Sequence, residues 1–379
     1  MSGRNLTFIY SEEQIEEIGQ QLPQNIQTCR SRIEEIDQQL EQYNDLIKQL
    51  DDKIRRADSL IAERCRDQPD LSSFVSEPLS VNCTTVTGRR SSNEDEEVAT
   101  IVRVDGQQRY QFLGVFDGHG GIDAASYCKQ QLLKKLIDTK FIGFGQLGLA
   151  LQEAIIQTDQ AYCEQTDKGQ VGTTVACCLI DLKRGLVVAA NSGDARVLIK
   201  TKSSIYTTVD HKPSDERERA RLRDNFNTGV FDFGGVMRVN GTLAVSRAIG
   251  DLDFKIYGVL ALPQIYEEIQ YSDVDFVVVA CDGMWDVISN EEAVQAVESC
   301  ISGKVVGDSD VAKAVFAYFN DDLEEGDKIL KSESDPAELE SLKVNKKDIT
   351  GKISQSLVRA AFVKNSQDNI TCIVAIVDK

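Results

Sequence analysis

Four aspartates share one setting in this chain of 379 residues: each lies where an apolar, strand-like run begins or ends. Asp117 closes the run 110–116, Asp194 sits in Asn191-Ser192-Gly193-Asp194 between two runs, Asp282 follows 276–281, and Asp368 precedes the last run, 370–377. Glu94 and Asp95 stand just before the run 98–104. Carboxylates at strand ends, with no cluster of histidine or cysteine beside them, form the donor set of hard cations such as Mg²⁺ or Mn²⁺ rather than of zinc. Taken singly, each is as readily a turn aspartate or an exposed charge; four together point to a shared centre. Asp117 opens Asp117-Gly118-His119-Gly120-Gly121, where glycines let the main chain approach a ligand closely and His119, one of only two histidines, supplies a group that titrates near neutrality.

Residues of this kind need a frame, and the runs supply one. Strands are expected at 98–104, 110–116, 173–180, 186–190, 196–199, 276–281 and 370–377, and helices at 124–136, 147–165, 291–300 and 354–363. Several strands are apolar almost throughout, as in sheets covered on both faces. Strands grouped at both ends with helices between predict an α+β layered architecture rather than a βαβ repeat.

The N-terminal region reads differently. Ser11 and Gln14 resemble a capping box opening a short helix that Pro23 ends or bends. From Ile26 to Ile61 apolar residues recur in alternating steps of three and four, a heptad pattern that predicts a helix of roughly 50 Å. It either pairs as a coiled coil, with a second copy or a partner helix, or folds back on the rest of the chain. The expected organisation is a helical region over 1–65, a linker over 66–82 and a catalytic domain over 83–379.

The balance of 42 Lys and Arg against 61 Asp and Glu leaves a net charge of −19. Such a chain is poorly suited to nonspecific binding of nucleic acid or an anionic membrane. No apolar run approaches the ~20 residues of a membrane helix. The ten cysteines contain no C-x-x-C pair and read as reduced thiols. No secretory signal pattern opens the chain, so the expected location is the cytoplasm, with the nucleus as the alternative.

These residues fall into ordered blocks. They are Gly88-Arg89-Arg90-Ser91-Ser92-Asn93-Glu94-Asp95, Phe116-Asp117-Gly118-His119-Gly120-Gly121, Gly172-Thr173-Thr174, Ser192-Gly193-Asp194-Ala195-Arg196, Asp210-His211-Lys212-Pro213, Arg238-Val239-Asn240-Gly241-Thr242-Leu243-Ala244-Val245-Ser246-Arg247-Ala248-Ile249-Gly250-Asp251, Ala280-Cys281-Asp282-Gly283-Met284-Trp285-Asp286 and Gln367-Asp368-Asn369-Ile370-Thr371. From about Thr84 to Lys379 the chain resembles the metal-dependent Ser/Thr protein phosphatases of the type 2C (PPM) family. The resemblance implies two antiparallel β-sheets in a sandwich flanked by helices. It implies two Mg²⁺ or Mn²⁺ ions bridged by Asp117, with the Gly118 carbonyl on one and Asp282 and Asp368 on the other, Glu94 acting through water and Asp95 in support. Asp194 with Asp282 resembles a pair for a third, weaker ion. Water or hydroxide activated at this centre would attack a phosphorylated protein, Arg90 would grip the phosphate, and His119 would protonate the departing seryl or threonyl oxygen. Residues 214–236 resemble the family's flap, with 224–232 longer than its usual spacing, and His211 reads as structural at the flap's base. Asn93 stands where the family has Met, and Ala195 where Ser is common. An acidic insert over about 321–350 reads as a solvated loop. The rival readings are a phosphatase-like module without activity, weakened because no metal-binding acid is missing, and a catalytically weak scaffold acting through its coiled coil.

Overall fold

A computed structural model describes residues 78–104, 107–266, 268–331, 339, 342, 344 and 346–377. The expected helices over 1–65 and the linker over 66–77 lie outside these residues. Eight longer strands carry the architecture: β1 Ser80–Val86, β2 Glu96–Val104, β3 Gln107–Phe116, β4 Val175–Asp181, β5 Leu186–Ser192, β6 Arg196–Thr201, β7 Val274–Ala280 and β8 Ile370–Ile376. One sheet runs β1, β8, β7, β6 and the short strand Ile205–Thr207; the other runs Gln264–Ile265, β5, β4, β3, β2, with Ile269–Gln270 also on β5. Every pairing within the two sheets is antiparallel.

Two-residue alternation decides what each strand faces. Leu113, Val115, Cys178, Ile180 and Val187 of one sheet meet Val197, Ile199, Val277, Val279, Ile373 and Ala375 of the other in one buried cluster. The residues between them point outward. Phe112, Phe116, Cys177, Leu179 and Val188 pack against helices α1 (Asp123–Asp138) and α2 (Leu147–Gln165). Leu198, Phe276, Val278, Cys372 and Val374 pack against α4 (Asn290–Ser302), α5 (Asp310–Phe319) and α6 (Ile349–Val363). Both faces of both sheets are therefore covered, which is why the strands read as unbroken apolar runs. A remaining helix, α3 (Glu216–Phe226), stands in the flap.

The structure departs from the sequence reading at particular places. The linker expected through 82 ends earlier: Leu79 is buried, exchanges hydrogen bonds with the Gln111 side chain, and leads into β1, which pairs with β8. β1 hides because Asn82, Thr84 and Thr85 give a half-buried edge strand a polar look. The expected strand 173–180 is broken at Thr174, whose N–H donates to the Asp117 carbonyl at 2.9 Å. Gly172–Thr173 instead joins a small sheet between Gly118–His119 and Ile249–Gly250. α6 starts five residues before the expected 354 because Asp348 caps it by accepting from the Gly351 N–H. Within the acidic insert, Leu323–Ile329 is a helix rather than a solvated loop, and Asp327 accepts from Tyr318 and from buried Arg359. The insert also ends before Asp348; residues 332–338, 340, 341, 343 and 345 lie outside the described ones.

His211 is the structural residue its surroundings require. It is buried; its Nδ1 accepts from the Gly193 N–H, its own N–H donates to the Gly193 carbonyl, and its carbonyl accepts from Ser246. Burial, reinforced by the Arg247 charge, pulls the imidazole down to about 4. Above pH 6.5 both folded and unfolded rings are neutral; below it the unfolded ring takes a proton that the folded ring refuses, so stability falls as the pH drops from 6.5 toward 4. The loss between pH 6.5 and 5 should be about 2 kcal/mol. In urea unfolding at the two pH values, His211→Asn should lose less stability than the native chain by about that amount; equal losses would remove the imidazole as the cause.

Candidate metal centre

The acids converge because strands of both sheets end at one edge of the sandwich. Asp117 follows β3, Asp194 lies between β5 and β6, Asp282 follows β7, and Asp368 precedes β8. Carboxylate oxygens of Asp117, Asp194 and Asp282 all lie within 4.8 Å of one another. At that separation each like-charged pair repels by roughly 3 kcal/mol at the effective dielectric of a protein site. Burial drives the Asp117 and Asp282 carboxyls well above their ordinary range, and neighbouring acids push them further. Burial also pushes Asp194 up to about 6, with Asp210 and Asp286 raising it and Lys212 opposing. Three oxygen donors held so close against their own charge are a fit for hard dications, which would favour the ionised forms.

Asp95 lies behind this group rather than in the cleft. It is buried, accepts from Thr371 Oγ1 at 2.6 Å through Oδ2, and leaves its buried Oδ1 without a partner. Burial raises it to about 6. Cys281 Sγ also comes close to Asp95 and Asp117, but burial and the surrounding carboxylates hold the thiol well above its ordinary range, and it donates to the Asn369 carbonyl. It is a neutral thiol packed under the acids.

A cleft of about 390 Å³ opens over the centre, lined by Arg90, Glu94, Asp117, Gly118, His119, Asp194, Asp282 and Asp368. Every site residue read from the sequence except Asp95 therefore faces one cavity. Arg90 is at the rim, more than half exposed, with Nη2 donating to Asp368 at 2.6 Å and Nε to the Gln367 carbonyl. Glu94 accepts from the Gly121 N–H at 3.2 Å. A Cβ at Gly118 would fall 2.3 Å from the Glu94 carbonyl oxygen, so only glycine lets these two segments touch.

Several residues that shape the centre were read only as parts of motifs. Asn369 clamps the loop bearing Arg90 and Glu94: its Nδ2 donates to the Thr87 and Ser92 carbonyls, and its Oδ1 accepts from the Glu94 N–H. Lys212 sets its ammonium 2.8 Å from Asp286 and 3.8 Å from Asp194, a fixed cation beside the acids. Arg238 lines the cleft from the flap. Asp251, fully buried with a left-handed backbone (φ 52°), accepts from His119 Nε2 at 2.7 Å. No spacing rule links residues 132 positions apart; the only signal was that an aspartate closes a long motif.

Burial alone would lower the His119 imidazole, but the hydrogen bond and charge of Asp251 more than offset it, and the net direction is upward. With only two histidines, proton NMR of the EDTA-treated protein should show one ring titrating above its ordinary range and one near 4. Asp251→Asn should move the first downward and leave the second in place; an unmoved His119 would detach Asp251 from its protonation.

Comparison with known proteins places this arrangement among relatives. The family model described as Protein phosphatase 2C matches residues 79–318. Probable protein phosphatase 2C 59 of Arabidopsis thaliana is 42% identical over 216 residues, covering 56% of this chain and 67% of the relative. Probable protein phosphatase 2C 45 of Oryza sativa subsp. japonica is 40% identical over 215 residues, covering 56% and 73%. The crystal structure of serine-threonine phosphatase 2C from Toxoplasma gondii shares the fold with a TM-score of 0.56 at 20% identity, covering 80% of this chain and 98% of that one.

Proposed function

The chain belongs to the protein phosphatase 2C family, and from that premise we propose that its cleft removes phosphate from phosphoserine and phosphothreonine of proteins with Mg²⁺ or Mn²⁺ bound. The observation that carries this reading is the set of three carboxylates, Asp194 buried and Asp117 and Asp282 half-buried, within 4.8 Å beneath a cleft whose rim holds an arginine and a histidine. Asp117, the Gly118 carbonyl, Asp282 and Asp368, with Glu94 beside them and Asp95 behind, would hold two ions, and Asp194 with Asp282 a third. Bound dications supply positive charge that offsets the phosphoryl oxygens and acidifies water near neutral pH.

The chain's own groups do the rest. Arg90 presents a planar guanidinium that can take two phosphoryl oxygens, and its bond to Asp368 sets its position at the rim. Water attacks phosphorus as the bond to the seryl or threonyl oxygen breaks, and that oxygen needs a proton. His119 supplies it: with Nε2 tied to Asp251, Nδ1 is the nitrogen from which the proton passes. The Asp251 bond serves this role by keeping the ring protonated closer to neutral pH.

The proposal extends to the N-terminal heptads over 26–61, which suit pairing with a second copy or a partner helix, and to a reducing compartment, cytoplasm or nucleus. Light scattering of the full chain against a chain begun at residue 78 tests the pairing: a dimer is expected to become a monomer, and monomers in both cases would end the idea.

Turnover of an aryl phosphate and a phosphothreonine peptide is expected with Mn²⁺ or Mg²⁺, absent with EDTA, and reduced at least about a hundredfold in Asp282→Asn. Because that substitution removes one of the repelling charges, the EDTA-treated variant should melt above the EDTA-treated native chain, while Mn²⁺ should raise the melting temperature of the native chain much more. Undiminished turnover in EDTA would overturn the reading.

A further inference from the structure

The flap ends in a β-hairpin, Val230–Phe233 paired with Val236–Val239 across a Gly234-Gly235 turn. Both glycines are left-handed, φ 65° and 89°, as a two-residue hairpin turn matching the twist of its strands requires. Residues directly opposite each other share a face, as do residues two apart. Phe231 opposes Arg238 and Phe233 opposes Val236, so these four form one face. Val230 and Val239 belong to the other, and they pack with Leu222, Val245, Ala248 and Phe254 in a small core that anchors the flap.

The first face is unusual in what it exposes. Phe231 is 53% exposed, Phe233 60% and Val236 45%. Such side chains in a row on an otherwise anchored element mark a surface that meets something. What it meets follows from where the face leads. Arg238, on the same face, lines the catalytic cleft. The Phe233 ring lies over Gly241, where a Cβ would come within 3.2 Å of it, and the chain beyond supplies Leu243, Ala244 and Val245 to the cleft lining. The exposed face of the hairpin therefore reaches the cleft through Arg238, and the chain that follows the hairpin contributes apolar side chains to the cleft lining.

We infer that this face of the hairpin, Phe231, Phe233 and Val236, docks the phosphoprotein substrate itself, selecting phosphorylated segments that carry large apolar side chains close to the phosphoresidue. This rests on the phosphatase reading above and adds the substrate class to it. An extended segment places alternate side chains about 7 Å apart, the same spacing that separates Phe231 from Phe233, so a substrate lying along the hairpin meets both rings with residues on one of its faces. The two-residue turn and the buried anchor hold the face in register with Arg238 and the cleft. Polar or charged flanking residues gain nothing from these contacts.

The test uses the full chain, matched phosphothreonine peptides bearing Leu or Ser at single positions on either side of the phosphoresidue, and the variant Phe231→Ser/Phe233→Ser. Aryl phosphate turnover on the same samples normalises for active enzyme. The native chain is expected to prefer the best Leu peptide over its Ser counterpart by about tenfold in kcat/KM, mostly through KM. In the double variant this ratio should fall to near one. A native ratio near one, or an unchanged ratio in the variant, overturns the inference. If the aryl phosphate is not hydrolysed, the catalytic reading fails instead, and the same ratio measured as peptide affinity by fluorescence anisotropy still decides whether the face docks.

Discussion

Everything in this fold is subordinate to holding like charges together. Asp117, Asp194 and Asp282 bring their carboxylates within 4.8 Å, with Asp95 buried behind. Left to local forces those groups would separate or take up protons, as the upward drift of each carboxyl shows. The sandwich prevents separation because the acids are not on mobile side branches. They are the residues where β3, the β5–β6 turn and β7 leave two sheets whose facing sides share one buried core. Moving any one backbone anchor outward means shifting a strand packed on both faces, which a close-packed interior resists. The charge is left for a cation to satisfy.

The second requirement is that the segments around the acids stay rigid. Asn369 does this with a single side chain, taking two carbonyls and one N–H of the 87–94 loop. Gly118 and Gly283 do it by subtraction: a Cβ would fall 2.3 Å from Glu94 O at the first and 1.9 Å from Asn369 O at the second. Lys212 adds a fixed positive charge where acids crowd on one side. Each of these residues acts on the position of another group, so none carries a chemical signature of its own.

That distinction explains what was legible in the sequence. Acids at strand ends are visible because a strand run and a carboxylate are both local features, and the layered fold follows from runs that are apolar on both faces. Ordered motif blocks added roles to the same positions. Asp251 was not visible as the partner of His119, since a hydrogen bond across 132 positions leaves no periodic trace. β1 was lost to its polar edge-strand composition, and α3 because only Glu218 and Leu222 of its eleven residues are buried. The acidic insert was misjudged over Leu323–Ile329 because a charged helix tied down by Arg359 reads like a charged loop.

The flap shows how a rigid centre coexists with a variable surface. At its base, Glu218 of α3 accepts from Arg221, Arg247 and Ser246 within 2.6–2.8 Å. Although burial opposes ionisation, the two arginines hold the Glu218 carboxyl down to about 2. The Ser246 backbone N–H donates to the His211 carbonyl, and His211 in turn holds Gly193 beside Asp194. A continuous set of buried polar contacts therefore runs from the flap helix to the acids. At the tip the same flap carries exposed phenylalanines on the strand that leads into its two-residue turn. Sequence change at the tip leaves that buried set untouched, whereas change at the base propagates to Asp194. Substrate choice can thus be altered at the hairpin face without disturbing the carboxylates on which the chemistry depends.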